Sequence, residues 1–362
     1  MNSTNSRRVV LLLYNASSDS FSPQELIDRQ LKYISTQRHL MEDFKAPIIL
    51  ASGFQDVKLP PPELCEFITV ARNDTNPLIF LIRAISSLLK LGVNKGAYFF
   101  VAGNPLQPLA ISIVLKIFFR GSALQLSIHN DLSSWFSPGF LNVLKRSFFR
   151  LCIPKIDLFR FVSNSQKNTA EKLFSLRGKS SVVCPIPLER PSSTQIELTR
   201  LEKVLGFVGR IHEERGVFEW IAVAKNLPEY QALVVGDGPL LGTFKSELSK
   251  AKFVGKYSHK QTLETYKSFS VLLSCAPYES YGLTIREALL VGVPVVTRST
   301  VGVQDLLELF PGIIKSYQTV DDAVSHIREL SISADQSQFD RFNEWIFKSQ
   351  ELNLRELVSH WR

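Results

Sequence analysis

A chain of 362 residues, at roughly 150 residues per domain, suggests two domains, and 45% apolar residues is enough for a core in each. Charged residues make up 21% with a net charge of +8, which excludes a disordered, histone-like or coiled-coil protein. The surplus is uneven: residues 1–195 carry a net +10 and residues 196–362 a net −2, so the first half holds the whole positive field.

Arg7 and Arg8 precede the apolar run Val9–Tyr14, which is shorter than the core of a signal peptide and predicts a first buried strand. Further strands are expected over Pro47–Ala51, Phe67–Ala71, Tyr98–Ala102, Leu124–Ile128, Leu158–Val162 and Ser181–Cys184. Helical period between them predicts helices over Pro23–Phe44, Ile79–Leu91, Pro108–Phe119, Pro138–Arg150 and Ser165–Leu176. The stretches Leu78–Gly92 and Tyr98–Phe119 are broken by Arg83, Lys90, Asn104, Gln107 and Lys116, so no membrane span is expected. Pro185–Ser193 has the Pro and Ser content of a linker. The rhythm then restarts with strands at Val204–Val208, Ala232–Val235, Lys252–Val254, Val271–Ser274 and Pro294–Thr297, and helices near Gly216–Lys225, Leu240–Leu248, Leu263–Phe269 and Leu283–Leu290. The tail, Gln338–Arg362, is helical in period. Strands alternating with helices predict parallel sheets, hence an α/β protein of two doubly wound, Rossmann-like domains facing a cleft. The expected domains are 1–190, with a closing helix at about 340–362, and 191–339.

Several motifs are excluded. Gly178-Lys179-Ser180 lacks the first glycine of a P-loop, because position 173 is Leu173; His212-Glu213-Glu214 lacks the second histidine of a zinc protease helix. No nucleophile elbow, kinase signature or D-x-D metal motif occurs, so no metal site is expected. Cys65, Cys152, Cys184 and Cys275 are scattered without a C-x-x-C pair, which predicts a reducing compartment and a cytoplasmic protein. Gly236-Asp237-Gly238 through Gly242 follows a strand and opens a helix, as a dinucleotide cradle does; the next strand ends without the carboxylate that would hold a ribose. A tight strand-to-helix turn accounts for it as well, and a nicotinamide-dependent oxidoreductase stays as a minor alternative.

The most specific pattern runs from Pro277 to Ala288, with Glu279 and Glu287 bracketing seven residues, followed by Gly292-Val293-Pro294. Glu279 falls in a loop after a buried strand, Gly282 permits a close backbone approach, and Glu287 lies on the next helix. Such a loop offers amides to an anion and carboxylates to sugar hydroxyls. Upstream, Arg210 and Arg215 flank one strand-to-helix turn, where two guanidinium groups can clamp a diphosphate. The plainer reading makes Arg215 a surface cation paired with Glu213 or Glu214.

Residues 204–307 resemble the nucleotide-binding domain of retaining glycosyltransferases of family 4, which have the GT-B fold. The matching motifs are Gly209-Arg210 with Arg215-Gly216, Val235–Pro239, Phe253-Val254-Gly255 and the Glu279/Glu287 pair with Gly282, Ala288 and Gly292–Pro294. The resemblance implies that Arg210 and Arg215 hold the diphosphate and stabilise its departure, Glu287 holds the ribose, and Glu279 with the amides of Tyr281, Gly282, Leu283 and Thr284 holds sugar and phosphate. Lys256 and Tyr257 would lie near the base. A weaker likeness in the first half implies that His129 faces the donor sugar; the alternative is a histidine that caps a turn. The family's glycines in the first loop are replaced by Asn15–Ser20. The closing helix resembles the family's return to the first domain, which would tie Trp345 and Trp361 to residues 1–190. The expected reaction is retaining, metal-independent transfer of a hexose from a UDP- or GDP-sugar to a glycan or lipid-linked acceptor, with no further cofactor, in cell-envelope or exopolysaccharide synthesis. A non-catalytic nucleotide-sugar-binding partner protein is the main alternative.

Between Leu115 and Arg160 lie Lys116, Arg120, Lys145, Arg146, Arg150, Lys155 and Arg160 against Asp131 and Asp157, interleaved with Phe118, Phe119, Trp135, Phe136, Phe140, Phe148 and Phe149. Cations beside aromatics suit an anionic membrane where those aromatics are exposed, so a peripheral position at its inner face is expected. No nucleic-acid motif accompanies the charges, and no nucleic acid is expected. A solvated basic face over an ordinary aromatic core explains the same residues.

Overall fold

Two parallel sheets organise the chain in a computed structural model, which describes residues 8–13, 24, 40, 47–52, 66–71, 76–91, 97–101, 106–129, 138–188 and 203–361. The chain divides into one unit of Met1–Pro185 with Glu351–Arg362, and a second of Ile186–Gln350. The loop Asn15–Ser20, Cys65, Asn130, Asp131, Trp135, Phe136 and the linker beyond Leu188 lie outside the described residues, as does the helix expected over Pro23–Phe44 apart from Gln24 and Leu40.

In the first unit, seven strands form one sheet: β1 (Arg8–Leu13), β2 (Ile48–Ser52), β3 (Glu66–Ala71), β4 (Ala97–Val101), β5 (Ala123–Ile128), β6 (Leu158–Phe161) and β7 (Ser180–Val183). Their order is β3-β2-β1-β4-β5-β6-β7 and the pairings are parallel. Helices α1 (Pro77–Lys90), α2 (Leu106–Phe118), α3 (Phe140–Cys152) and α4 (Asn164–Phe174) are interspersed. Asn76 starts α1 by accepting the amide of Leu78 at 2.9 Å, with Pro77 at the first helical position, where its missing N–H costs nothing. On β5 the alternate residues Leu124, Leu126 and Ile128 enter the apolar core. Gln125 and Ser127 between them are buried and polar, and the Trp361 indole N–H donates to Gln125 Oε1 at 2.8 Å. The end of the chain thus satisfies a buried amide that would otherwise cost about 1–3 kcal/mol.

The second unit is a six-stranded parallel sheet of β8 (Val204–Val208), β9 (Gln231–Val235), β10 (Lys252–Gly255), β11 (Val271–Ser274), β12 (Val295–Arg298) and β13 (Ile314–Tyr317), in the order β10-β9-β8-β11-β12-β13. Its helices are α5 (Val217–Lys225), α6 (Leu241–Glu247), α7 (His259–Tyr266), α8 (Leu283–Leu290), α9 (Gln304–Leu309), α10 (Val320–Ser333) and the start of α11 (Gln336–Ser359). Leu233 and Val235 feed one core and Val234 the opposite one, so the sheet is covered on both faces. The expected strands Val204–Val208 and Val271–Ser274 and the expected helix Leu283–Leu290 have the observed bounds. β13, α9 and α10 were not expected from the sequence. Ile-Lys-Ser-Tyr is an edge strand with only its two ends buried, and offers no apolar run.

The closing helix departs from expectation over its first half. Phe339, Phe342 and Ile346 sit in the second unit's core, and the Trp345 ring packs on Phe310 and Phe342. Glu351 onward groups with the first unit, and Trp361 makes the expected tie through Gln125.

Candidate functional site

Strand order reverses between β8 and β11, which leaves a crevice beyond the carboxyl ends of those strands. The loop leaving β8 is stitched to the loop leaving β9: Gly209 N–H donates to Val235 O at 3.0 Å and Ile211 N–H to Asp237 O at 2.8 Å. A Cβ on Gly236 would lie 1.9 Å from Gly209 O, and one on Gly238 would lie 2.4 Å from Ile211 O. Those glycines are therefore demanded by backbone meeting backbone. The motif that resembled a dinucleotide cradle is a tight turn packed on its neighbour.

This bracing fixes the turn that carries the two arginines. Arg210 pairs with Glu214 at 2.5 Å, while Arg215 reaches across to the loop after β11 and bonds Glu279 at 2.9 Å. The surface pairing weighed for Arg215 thus falls to Arg210, and Arg215 joins the two strand-end loops. Arg215 and Thr284 line a small pocket with Phe207, Val208, Ser274 and Cys275. Burial pushes the Cys275 thiol up to about 12, so it stays protonated and unreactive.

Gly282 ends the loop in the left-handed region (φ +69°) and starts α8, a conformation that a side chain would strain. The next turn buries two adjacent charges. Arg286 is 1% exposed; it bonds Asp305 through two contacts of 2.8 and 2.9 Å, donates to Gly302 O at 2.7 Å and lies 4.0 Å over the Tyr281 ring. Gly302 N–H in turn donates to Glu279 O at 2.8 Å, so Arg286 ties the Glu279 loop to the loop before α9. Glu287, 5% exposed, is held at 2.8 Å by His259 Nε2 and at 3.3 Å by the Tyr266 hydroxyl. Burial, then the Glu287 charge, raises Tyr266 well above its ordinary 10, which keeps the phenol a donor. A carboxylate has about four lone-pair sites, so two donors leave capacity for two hydroxyls.

The structure thus gathers Arg215, Glu279, Tyr281, Gly282, Leu283, Thr284 and Glu287 at the carboxyl end of the second sheet, with Arg210 on the adjoining turn. Lys256 and Tyr257 follow β10, and Tyr257 is partly buried against the second unit's core. Sequence reasoning missed His259, Tyr266 and Arg286. His259 stands two residues beyond Tyr257, at the start of a helix whose capping box is Ser258 with Gln261, a legible signal for the helix though not for the contact. His129 belongs to the first unit, where it follows Ile128, the last residue of β5. Desolvation, then the Arg160 charge, pulls its pKa down to about 3, so its ring is neutral at physiological pH. Arg160 itself is buried, with Nε donating to Cys184 O at 2.9 Å and an Nη to Pro185 O at 3.1 Å; it is removed from the expected basic surface.

The family model described as glycosyl transferases group 1 matches residues 192–342, which contain this whole second-unit network. The match covers less than half of the chain. A GDP-mannose-dependent alpha-mannosyltransferase of Corynebacterium glutamicum is 31% identical over 106 residues, 29% of this chain and 25% of that protein. The chain spans about a quarter to a third of the length of the curated relatives it matches first. Among solved structures, a glycosyltransferase from Rickettsia africae superposes with a TM-score of 0.71 at 13% identity, covering 99% of this chain and 98% of its own. Anabaena HepE, solved with UDP-glucose, superposes with a TM-score of 0.65 at 15% identity, covering 97% and 99%. The fold is GT-B, with two Rossmann-like units.

Proposed function

We propose that the protein transfers a hexose from a UDP- or GDP-sugar to a glycan or lipid-linked acceptor, with retention and without a metal, in cell-envelope or exopolysaccharide synthesis at the inner face of the membrane. The observation that carries this reading is the Arg215–Glu279 contact across the crevice between β8 and β11, beside a buried Glu287 held from behind by His259 and Tyr266. A diphosphate laid at the start of α8 meets unpaired first-turn amides and the guanidinium groups of Arg210 and Arg215. A guanidinium has five N–H donors, and the Glu279 contact engages one nitrogen, so Arg215 can hold both carboxylate and phosphate. Glu287, oriented by its two donors, accepts the ribose hydroxyls, and Lys256 and Tyr257 lie toward the base.

The chemistry asked of these residues is positioning and charge stabilisation. As the glycosidic bond lengthens, electrons move to the diphosphate and the two arginines neutralise it, while the acceptor hydroxyl adds on the face the diphosphate leaves and passes its proton to the departing diphosphate oxygen. No side chain is assigned as nucleophile. The family resemblance assigns His129 to the donor sugar, and burial keeps its ring neutral at physiological pH. The names of the relatives support the two bases tested first: one depends on GDP-mannose and one was solved with UDP-glucose.

A panel of UDP- and GDP-sugars in EDTA, read by nucleoside diphosphate release, tests the reading. Release above background from one donor, reduced about 30- to 1,000-fold by Arg215→Ala, is the expected result. No release from any donor, with the nucleotide still bound, would favour the alternative of a non-catalytic partner protein, to which the glycine-free loop Asn15–Ser20 lends support.

A further inference from the structure

Helix α3 turns the wrong side outward for a helix of a solitary globular unit. Its buried residues are Phe149 and Cys152, whereas Phe140, Leu141, Val143, Leu144, Phe148 and Leu151 are exposed, with Phe140 77% and Leu151 78% accessible. Residues 140, 144, 148 and 151 recur at helical spacing, so they form one continuous stripe. The neighbouring α2 adds Ile117 and Phe118, 61% and 52% exposed. Single exposed apolar residues are ordinary; a stripe of this length across two packed helices marks an interaction surface.

Charge identifies the occupant. Arg150 is exposed beside the stripe, Lys145 and Arg146 are partly exposed on the same helix, and Arg120 and Lys155 are exposed at the adjoining helix ends. Residues 106–160 contain two acidic groups, Asp131 and Asp157, and Asp157 already engages Lys116 at 2.5 Å. A second copy of the chain meeting this face about a two-fold axis would set the same cations against one another. A bilayer with anionic headgroups takes the apolar stripe below its phosphates and the cations among them. We propose that the outer faces of α2 and α3 dock the protein on an anionic lipid surface. The proposal names the surface that the lipid-linked acceptor reading requires, yet it rests on residues outside the sugar-nucleotide site, so either can fail alone.

Sedimentation of the full chain with vesicles of phosphatidylcholine alone, or mixed with phosphatidylglycerol, tests it. The protein should pellet with the mixed vesicles and remain in solution with the neutral ones, and added salt should release it. Leu144→Asp combined with Phe148→Asp should weaken partition on the order of ten-fold or more, and Arg150→Gln about five-fold. Thermal unfolding and donor turnover in detergent-free solution should be unchanged in both variants. Equal partition to both vesicle types, partition to neither, or a wild-type dimer that the double variant converts to monomer would overturn the proposal, the last outcome by showing that a second copy covers the face.

Discussion

The two units share one architecture and use their surfaces in opposite ways. In the second, charge is drawn inward: Arg286 and Glu287 are buried side by side, each compensated by named partners, and the strand-end loops lie backbone against backbone. In the first, apolar groups are pushed outward, and α3 leaves six large ones exposed. Both arrangements cost stability taken alone, since buried ions lose hydration and exposed apolar groups gain none of the benefit of burial. Features that stability does not explain point to ligands, a polar one at the second sheet's end and an apolar one on α2 and α3.

The comparison can be sharpened first within α3 itself. Phe149→Ala should cost about 3–5 kcal/mol, while Phe148→Ala, one residue earlier and outward, should stay within about 0.5 kcal/mol; equilibrium denaturation of both variants checks the contrast. Next, Arg286→Met should destabilise by about 3 kcal/mol and loosen the Glu279 loop, a loss visible as faster amide exchange at Gly302. Trp361→Phe should cost about 1–3 kcal/mol by leaving Gln125 without its donor. A further contrast concerns acid. Folded His129 titrates near 3 against an ordinary 6.5, so between those values the unfolded chain binds a proton that the folded chain refuses, and stability falls as pH drops through that window. His129→Gln should flatten this slope, measured as denaturation midpoints at neutral pH and at about pH 4.5.

Legibility in the sequence followed the same division. Glycines at 236 and 282 and the carboxylates at 279 and 287 sit where contact distance or backbone conformation admits few alternatives, so their spacing announces the second unit's loops. Partners supplied from elsewhere in the chain, such as His259 for Glu287 or Asp305 for Arg286, are set by packing and leave no local spacing. The orientation of α3 was hidden for a different reason. Helical period shows that apolar residues share a side, but it does not say whether that side meets the core, and here the narrower side of Phe149 and Cys152 does. Arg160 illustrates the converse, a cation counted with the basic surface that backbone carbonyls of Cys184 and Pro185 hold in the interior.

The central claim is that the crevice between β8 and β11 holds a nucleoside diphosphate. Thermal protection by UDP, GDP, ADP and NAD in EDTA, repeated with Arg215→Ala and Glu287→Gln, tests it most directly. At about 100 times the dissociation constant a ligand adds roughly 2.7 kcal/mol, a readily measured shift. Protection by UDP or GDP that both variants lose is the predicted result. Protection by NAD alone, or protection by a nucleoside diphosphate that both variants retain, would contradict the assignment of the site.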